Sequence, residues 1–239
     1  MKKVLIVIPA YNEEKSILTT YKSIMDYNKK GKMKVDVIVI NDGSSDNTEK
    51  ILDDNNIPHV NLLTNLGIGG AVQTGYKYAY INDYDIAVQF DGDGQHDISY
   101  IESLIEPLVN ERADMAIGSR FINKNLTGFK SSATRRIGIK IVSFFIKLKT
   151  RKKIYDTTSG YRAINKKLIK SFSKAYPLEY PEPISTTEAL LSKYKVEEIP
   201  VEMNERKQGR SSIHTWKNAY YMINVILNVI FAKKGDRNE

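Results

Sequence analysis

The sequence of 239 residues contains no cysteine, only three histidines and a single tryptophan. The absence of cysteine excludes a disulfide scaffold, a thiolate zinc site and a cysteine nucleophile, and it is typical of a reducing compartment. With His59, His96 and His214 as the whole supply, a histidine-rich metal cage is not expected. The sequence also shows no internal repeat and no low-complexity segment. Its 41% of hydrophobic and 27% of charged residues describe a globular chain.

No run of apolar residues reaches the roughly 20 that a membrane-spanning helix needs. Residues 4–8 follow a basic N-terminus and imitate a signal peptide, but the run stops at Pro9 and meets two glutamates instead of a cleavage site. We interpret it as a buried strand. Residues 219–232 form the other long apolar stretch, which two asparagines interrupt. The sequence therefore predicts a chain that stays on the cytoplasmic side.

Basic residues outnumber acidic ones, since 36 Lys and Arg against 28 Asp and Glu give a net charge of +8. This surplus favours a polyanionic partner such as a nucleic acid, a phosphorylated ligand or an anionic membrane surface. Basic residues are dense between positions 135 and 153, around the apolar segment 137–148. That pattern is typical either of a basic amphipathic helix at a membrane surface or of a domain helix with a solvated charged face.

Four short runs rich in Val and Ile recur in the first half of the chain, and their length suits strands covered on both faces. Segments with a helical pattern separate them, which is the rhythm of an α/β fold with a parallel sheet. The expected strands are residues 4–8, 35–40, 86–90 and 115–117, with a later one at 197–203. The expected helices are residues 13–27, 47–55, 70–80 and 98–110.

A polar cluster follows each of these four strands, at residues 9–13, 41–46, 91–96 and 118–120. Ligands of open α/β sheets bind outside the carboxyl ends of the strands, so we expect the four clusters to converge on one crevice. Several acidic residues and one arginine in a basic chain indicate a metal ion together with a phosphorylated ligand.

The strongest local signal is the triplet Asp91-Gly92-Asp93 after the third strand. Two carboxylates separated by a glycine can present oxygens to Mg²⁺ or Mn²⁺ that also holds a diphosphate. A surface turn is the alternative, because such triplets are common.

Other nucleotide and nucleophile motifs fail when they are checked residue by residue. The dinucleotide fingerprint would need a glycine at Val72, and the P-loop would need a lysine at Tyr76. Residues 43–47 lack the closing glycine of a nucleophile elbow, and Asp46 is more simply explained as an acid at a helix start. A Rossmann dehydrogenase, a P-loop NTPase and a serine hydrolase are therefore not supported.

In their order and spacing the polar clusters resemble the successive motifs of family 2 glycosyltransferases. The later motifs resemble the branch that contains dolichol-phosphate mannose synthase and bacterial polyprenyl-phosphate glycosyltransferases. The motifs are Ile8-Pro9-Ala10-Tyr11-Asn12-Glu13-Glu14, Asn41-Asp42-Gly43-Ser44-Ser45-Asp46-Asn47-Thr48, Asn65-Leu66-Gly67-Ile68-Gly69, Asp91-Gly92-Asp93-Gly94-Gln95-His96, Gly118-Ser119-Arg120-Phe121, Asp156-Thr157-Thr158-Ser159-Gly160-Tyr161-Arg162 and Glu205-Arg206-Lys207-Gln208-Gly209-Arg210-Ser211-Ser212.

This resemblance covers nearly the whole chain and implies an α/β GT-A (Rossmann-like) fold, with a mostly parallel central sheet flanked by helices and a C-terminal amphipathic helix. It implies one catalytic domain at residues 1–212, in which 1–120 bind the nucleotide sugar and metal and 121–212 bind the acceptor. Residues 213–239 would form the helix and tail.

The resemblance also implies a role for individual residues. The nucleotide donor is expected on Pro9, Ala10, Tyr11, Glu13, Asp42, Gly69 and Asp91. The metal, Mg²⁺ or Mn²⁺, is expected on Asp91 and Asp93, with Gln95 as a further ligand. The expected catalytic residues are Asp93, Arg206, Arg120 and Arg135. The three arginines would face the acceptor phosphate or the donor diphosphate; Arg136 is the alternative to Arg135, and a surface ion pair is the alternative for each.

The implied activity is an inverting, metal-dependent transfer of a hexosyl or N-acetylhexosaminyl group to a polyprenyl phosphate at the inner membrane face. The donor would be a UDP-sugar, with a GDP-sugar next. The only tryptophan, Trp216, does not belong to the Gln-x-x-Arg-Trp motif of processive synthases, so processive synthesis is not expected. Many enzymes of this branch continue into membrane spans, whereas this sequence shows a single apolar helix near its C-terminus. We therefore expect a peripheral protein, helped by a small membrane-protein partner or by homo-oligomerisation.

Three alternatives to this activity make different demands on the sequence. Transfer to a sugar hydroxyl of a cell-surface polysaccharide needs a general base, for which Glu182 and Glu188 are candidates. Nucleic-acid binding is not expected, because acidic clusters at strand ends would repel a phosphate backbone. The intact Asp91, Asp93 and Arg206 argue against a catalytically silent fold used as a membrane or polysaccharide scaffold.

The C-terminal helix has a wide apolar face that must bury against its own domain, a membrane interface or a partner.

Overall fold

The computed structural model describes residues 2–31, 33–122, 133–204 and 215–234, with the backbone alone for residues 133–135 and 215–221. The strands are β1 (Val4–Ala10), β2 (Asp36–Asn41), β3 (His59–Asn61), β4 (Ile86–Gln89), β5 (Met115–Ser119), β6 (Arg162–Asn165) and β7 (Val196–Pro200). The helices are α1 (Ile17–Lys30), α2 (Thr48–Asp54), α3 (Gly67–Ile81), α4 (Ile101–Val109), α5 (Ala133–Thr150), α6 (Lys166–Lys174), α7 (Pro181–Leu191) and α8 (Thr215–Phe231). A 3₁₀ turn at Ile98–Tyr100 leads into α4.

The seven strands form one sheet in the order β3-β2-β1-β4-β6-β5-β7. Every pair is parallel except those of β6, which runs antiparallel to both β4 and β5. The α/β fold with a mostly parallel sheet is therefore confirmed. β3 and β6 were not predicted, and the strand expected at 197–203 ends earlier, at Pro200.

The sheet is buried on both faces, as its continuous apolar strands require. Along β1, alternate side chains point to opposite faces. Leu5 and Val7 enter a core shared with α3, α5, α6 and α8, whereas Val4, Ile6 and Ile8 enter a core shared with α1, α2 and α4. This two-sided packing fixes the positions of the loops that follow the strands.

The C-terminal helix α8 packs against α5 and α7 through one face. Val225 and Val229 are buried in the first of the two cores. None of the helices in the described part of the chain is both long and apolar enough to cross a bilayer.

Candidate active site

The carboxyl ends of β1, β2 and β4 lie at the same edge of the sheet because these three strands are parallel neighbours. The loops that leave them are in contact. The backbone N–H of Asp42 donates to the carbonyl of Ala10 at 2.8 Å. A Cβ built on Gly92 would lie 3.3 Å from the carbonyl oxygen of Pro9, and the Thr20 hydroxyl donates to the Gly92 carbonyl. The first three polar clusters of the sequence thus share one crevice.

Asn12 joins the first two loops. Its backbone is left-handed, with φ of 55°, which asparagine tolerates better than most residues. Its Oδ1 accepts hydrogen bonds from the backbone N–H groups of Ser45 and Asp46, and its own N–H donates to the Ser44 hydroxyl. The neighbouring Tyr11 is half exposed at the surface of this joined loop.

Asp42 is buried, and its Oδ1 accepts a hydrogen bond from the backbone N–H of Leu66 at 2.7 Å. Burial raises the pKa of Asp42, while the backbone N–H groups of Leu66 and Gly67 act in the opposite direction. Gly43 has φ of +64°, and a Cβ there would lie 2.8 Å from the backbone nitrogen of Asn65. The loop after β2 is therefore held tightly against the loop that begins α3.

Asp91 is held from two sides at the end of β4. Its Oδ1 accepts from the Gln89 amide at 3.3 Å, and its Oδ2 lies 3.4 Å from Nε2 of His96. The Asp91 backbone N–H also donates to Nδ1 of His96. Asp93 follows in the same turn, where its Oδ1 accepts from the backbone N–H of Gln95 at 3.0 Å. Both carboxylates are half-buried.

His96 was noted in the sequence only as the end of a motif, and the structure shows what it does. Its ring stacks on Tyr161 with a centroid distance of 4.8 Å and meets Phe90 edge to face at 5.2 Å. Burial lowers the pKa of His96, whereas the carboxylates of Asp91 and Asp93 raise it. The enclosed ring therefore braces the turn that carries the two aspartates.

The turn that carries Asp91 and Asp93 suits a metal ion held by two carboxylates, with other molecules supplying the remaining ligands. Within the described ranges, no group of three or more His, Cys, Asp or Glu side chains stands close enough to hold a metal. Mg²⁺ and Mn²⁺ nevertheless bind at sites with one or two carboxylates, where water and substrate phosphate oxygens complete the coordination. The pair Asp91 and Asp93 has this composition. Gly160 packs directly against Asp91, since a Cβ on Gly160 would lie 2.6 Å from Oδ2 of Asp91.

Arg120 forms a buried forked ion pair with Asp156. Its Nε donates to one carboxylate oxygen at 2.7 Å and its Nη2 to the other at 2.8 Å, and Nη2 also reaches the Thr158 hydroxyl. The two side chains are 5% and 0% exposed. Glu198 accepts from the backbone N–H groups of Tyr155 and Asp156, and burial raises its pKa. Arg120 is thus anchored at the crevice, and its expected contact with a phosphate stays a prediction.

Arg162, which is fully buried, and Glu182, which is partly exposed, form a second group near Asp91. The sequence indicates Glu182 as a candidate base but does not predict the burial of Arg162. The guanidinium of Arg162 donates to the carbonyls of Ser159 and Glu182. The Gln89 amide, which donates to Asp91, also lies near the Glu182 carboxyl and helps to lower its pKa. Burial raises the pKa of Glu182, and the Arg162 charge opposes that shift.

The remaining expected residues lie as follows. Pro9 and Ala10 end β1 at the crevice, and the Glu13 backbone N–H donates to the Thr48 hydroxyl. Gly69 is in the first turn of α3, where a Cβ would lie 2.3 Å from the carbonyl oxygen of Pro177. The carboxylate of Asp46 accepts from the Thr48 N–H at the start of α2, as expected for an acid at a helix start. Arg206 lies outside the described residues, and for Arg135 only the helical backbone is described.

Comparison with known proteins supplies a family. The model described as glycosyl transferase family 2 matches residues 5–172. A UDP-N-acetylglucosamine–dolichyl-phosphate N-acetylglucosaminyltransferase of Methanococcus voltae is 33% identical over 222 residues, which cover 84% of this chain and 85% of the relative. An undecaprenyl-phosphate mannosyltransferase of Micrococcus luteus is 27% identical over 223 residues, covering 88% and 87%.

Among solved structures, the fold is similar to that of a glucosyl-3-phosphoglycerate synthase from Mycobacterium tuberculosis, solved with Mn²⁺, UDP and phosphoglyceric acid. The TM-score is 0.71 at 18% identity, and the match covers 98% of this chain and 80% of the other. At this identity the likeness concerns the fold alone.

Proposed function

The chain belongs to glycosyl transferase family 2, and from that premise we propose that it transfers a sugar from a nucleotide diphosphate to a polyprenyl phosphate. The observation that carries the proposal is the braced pair Asp91 and Asp93 at the carboxyl end of β4. The relatives from M. voltae and M. luteus, whose names specify dolichyl and undecaprenyl phosphate, support the acceptor. The transfer would take place at the inner face of the membrane, with the protein bound peripherally.

The donor would lie in the crevice between the first two loops. Asp42 and the exposed ring of Tyr11 flank this part of the crevice, with Pro9, Ala10 and Glu13 on the same loop. An aspartate can accept hydrogen bonds from a base, and an aromatic ring offers it a stacking face. We favour a UDP-sugar, since the M. voltae relative is named for one, and a GDP-sugar comes next.

Asp91 and Asp93, with Gln95 beside them, would hold Mg²⁺ or Mn²⁺. When bound, the cation supplies positive charge that stabilises the departing diphosphate. Gln89 and His96 fix the orientation of the Asp91 carboxylate before the donor arrives, which is the preorganisation that electrostatic catalysis requires. Arg120, Arg135 and Arg206 would contribute further cations toward the two phosphate groups.

The acceptor chemistry explains why the site needs cations more than a base. A phosphate monoester has a second pKa of about 6, so it is ionised at neutral pH and attacks without losing a proton. Direct displacement at the anomeric carbon would invert its configuration. The product would then carry a sugar–phosphate bond, and the nucleoside diphosphate would leave.

A second candidate function is transfer to a sugar hydroxyl, which one observation favours. Glu182 lies behind Gln89 with a pKa that burial raises, and a carboxylate of raised pKa suits a general base. Glu188, whose pKa burial also raises, is on the same helix. The two functions differ in the acceptor and in their need for Glu182.

The experiment supplies UDP- and GDP-sugars with Mn²⁺ or Mg²⁺ and either a short polyprenyl phosphate or oligosaccharides, and follows the labelled sugar by mass spectrometry and NMR. We expect an inverted sugar phosphate, lost almost entirely in Asp93→Asn. Asp97→Asn is the matched control, because Asp97 caps the next turn through Ser99 and an asparagine keeps that acceptor. Full activity of the metal-free wild type in EDTA contradicts the metal role.

Glu182→Gln separates the two acceptors. Loss of a general base costs about 10² to 10⁴ in rate, whereas a phosphate acceptor should lose only a few-fold in this variant. Transfer to an oligosaccharide that Glu182→Gln abolishes, with none to the lipid phosphate, replaces our proposal by the second function.

A further inference from the structure

Helices α5 and α8 lie side by side and run in the same direction. Near the start of α5, a Cβ built on Gly138 would lie 3.1 Å from the sulfur of Met222 in α8. Near the end of α5, the Lys149 ammonium donates to the carbonyl of Ile230. Because the two contacts advance together along both helices, α5 and α8 form one parallel layer over the core.

Helix α5 buries one side and exposes large apolar residues on the opposite side. Its residues Ile139, Val142 and Ile146 are buried. At 3.6 residues per turn, the exposed apolar residues fall on a single stripe opposite these three. The stripe consists of Ile137, Ile141, Phe144 and Leu148.

Helix α8 repeats this arrangement. Val225 and Val229 are buried, and exposed apolar residues line the opposite side. They are Ile223, Leu227, Ile230 and Phe231. We call the eight exposed residues of the two stripes the α5–α8 face. Large exposed apolar patches on soluble proteins usually mark a binding surface, so we expect another molecule or a membrane to cover this face.

The charges around the α5–α8 face are of one sign. Neither helix contains an aspartate or glutamate. Exposed cations flank the α5 stripe and follow the ends of both helices. They are Arg136, Lys140, Lys147, Arg151, Lys152, Lys153, Lys233 and Lys234.

We propose that the α5–α8 face docks the protein on an anionic lipid bilayer, with the eight apolar side chains in the interface and the cations against lipid phosphates. Amphipathic helices with basic flanks bind membranes in this way, parallel to the surface. A second copy of the chain fits less well, since a two-fold dimer through this face would bring the same cations together. The proposal deepens the proposed function and rests on it, because it names the surface that meets the lipid acceptor.

The chain connects this face to the active site at two places. It leaves the site at Ile122, shortly after Arg120, and enters α5 at Ala133. It leaves again at Asn204, whose N–H donates to the Gln95 carbonyl at 2.8 Å, and enters α8 at Thr215. Docking through the two helices would therefore hold the crevice next to the bilayer that contains the acceptor.

The test measures co-sedimentation of the full chain with vesicles of phosphatidylcholine alone or mixed with phosphatidylglycerol. Leu148→Glu and Phe231→Glu change one residue of each stripe at positions 70% and 72% exposed. The control is Ile81→Glu, 78% exposed at the end of α3. We expect each stripe variant to lower the partition coefficient at least about tenfold, and the control to leave it unchanged. Circular dichroism and thermal melting verify that all variants fold.

A second pair of variants tests the charges. Lys140→Gln and Lys147→Gln should each weaken binding to anionic vesicles about fivefold at low salt and leave binding to neutral vesicles unchanged. Equal binding of all folded variants, or equal binding to both lipid mixtures, overturns the proposal. A dimer in solution that the stripe variants dissociate, without vesicle binding by the wild type, overturns it in favour of a second copy.

The activity with a short, water-soluble polyprenyl phosphate keeps the two proposals apart. Stripe variants that fail to bind vesicles should retain this activity. Vesicle binding as expected, with no transfer to any lipid phosphate, contradicts the proposed function and leaves the docking surface intact. Transfer without vesicle binding contradicts the docking surface alone.

Discussion

At the residue scale, the forked pair of Arg120 and Asp156 joins the loop after β5 to the segment that precedes β6. Asp156 is fully buried and receives both a guanidinium and the backbone N–H of Arg120. We expect Asp156→Ala to lower the free energy of unfolding by about 3–5 kcal/mol, because it removes the carboxylate that pairs with a buried guanidinium. Urea denaturation measures this loss.

The exposed pair of Arg112 and Glu106 is the matched control for Asp156→Ala. It is also a two-point contact, in which Nη1 and Nη2 of Arg112 each donate to one Glu106 oxygen at 2.7 Å, but both side chains are nearly half exposed. Glu106→Ala should change stability little. If both variants lose equally little, Asp156 does not anchor Arg120.

Gly160 provides a test of how tightly Asp91 must be placed. In Gly160→Ala the new Cβ would lie 2.6 Å from Oδ2 of Asp91, so the carboxylate has to shift. A misplacement of about 1 Å costs on the order of 100-fold in turnover. We expect a loss of this size, together with weaker Mn²⁺ binding in a spectroscopic titration.

Gly138→Ala is the control for Gly160→Ala, since its Cβ meets only the flexible end of Met222. Unchanged turnover in Gly160→Ala, with the fold intact, means that Asp91 tolerates displacement and that its placement is not catalytic.

Individual residues differ in how well the sequence predicts them. Asp91 and Asp93 are recognisable because two carboxylates follow directly on an apolar strand. The packing of His96 and the burial of Arg162 are not, since a sequence marks a polar residue without showing what surrounds it. Arg162 can be identified as a core residue only from the folded structure, in which its Nη1 donates to the hydroxyls of Ser185 and Thr186 in α7.

At the element scale, α3 and β1 pack closely because of one glycine. A Cβ on Gly75 would lie 2.1 Å from Cγ1 of Val7. Gly75→Ala should therefore destabilise the fold by about 1–3 kcal/mol through overpacking, despite the better helix propensity of alanine. The double variant Val7→Ala/Gly75→Ala should recover part of this loss in a double-mutant cycle of denaturation midpoints. Additive losses would show that the contact does not limit the helix–strand distance.

The two strands that were not predicted from the sequence share a physical cause. β3 has only three residues, two of them polar, so it carries no apolar pattern. β6 begins with Arg162, and its four residues are too few to reveal their antiparallel direction. Both strands form because neighbouring strands supply hydrogen-bonding partners. The long parallel strands were predictable because burial on both faces makes them continuously apolar.

At the scale of the whole molecule, charge and apolar surface are distributed unevenly. Acidic residues gather at the crevice, in Asp42, Asp91 and Asp93, whereas α5 and α8 contain none. The net charge of +8 alone favoured several polyanions. Only the folded chain separates the acidic crevice, where we propose the nucleotide and metal, from the basic helices, where we propose the lipid surface.

Ionic strength should therefore affect the two kinds of acceptor differently. Salt shortens the Debye length from about 10 Å at 0.1 M to about 3 Å at 1 M, which weakens attraction of the basic helices to anionic lipid. We expect the apparent KM for a long-chain polyprenyl phosphate in anionic vesicles to rise by about tenfold or more over this range. The KM for a short soluble polyprenyl phosphate should rise much less, because it depends only on contacts within the crevice. Initial rates at fixed donor and metal measure both constants. A parallel rise for the two acceptors would place the salt sensitivity in the crevice and not at the membrane.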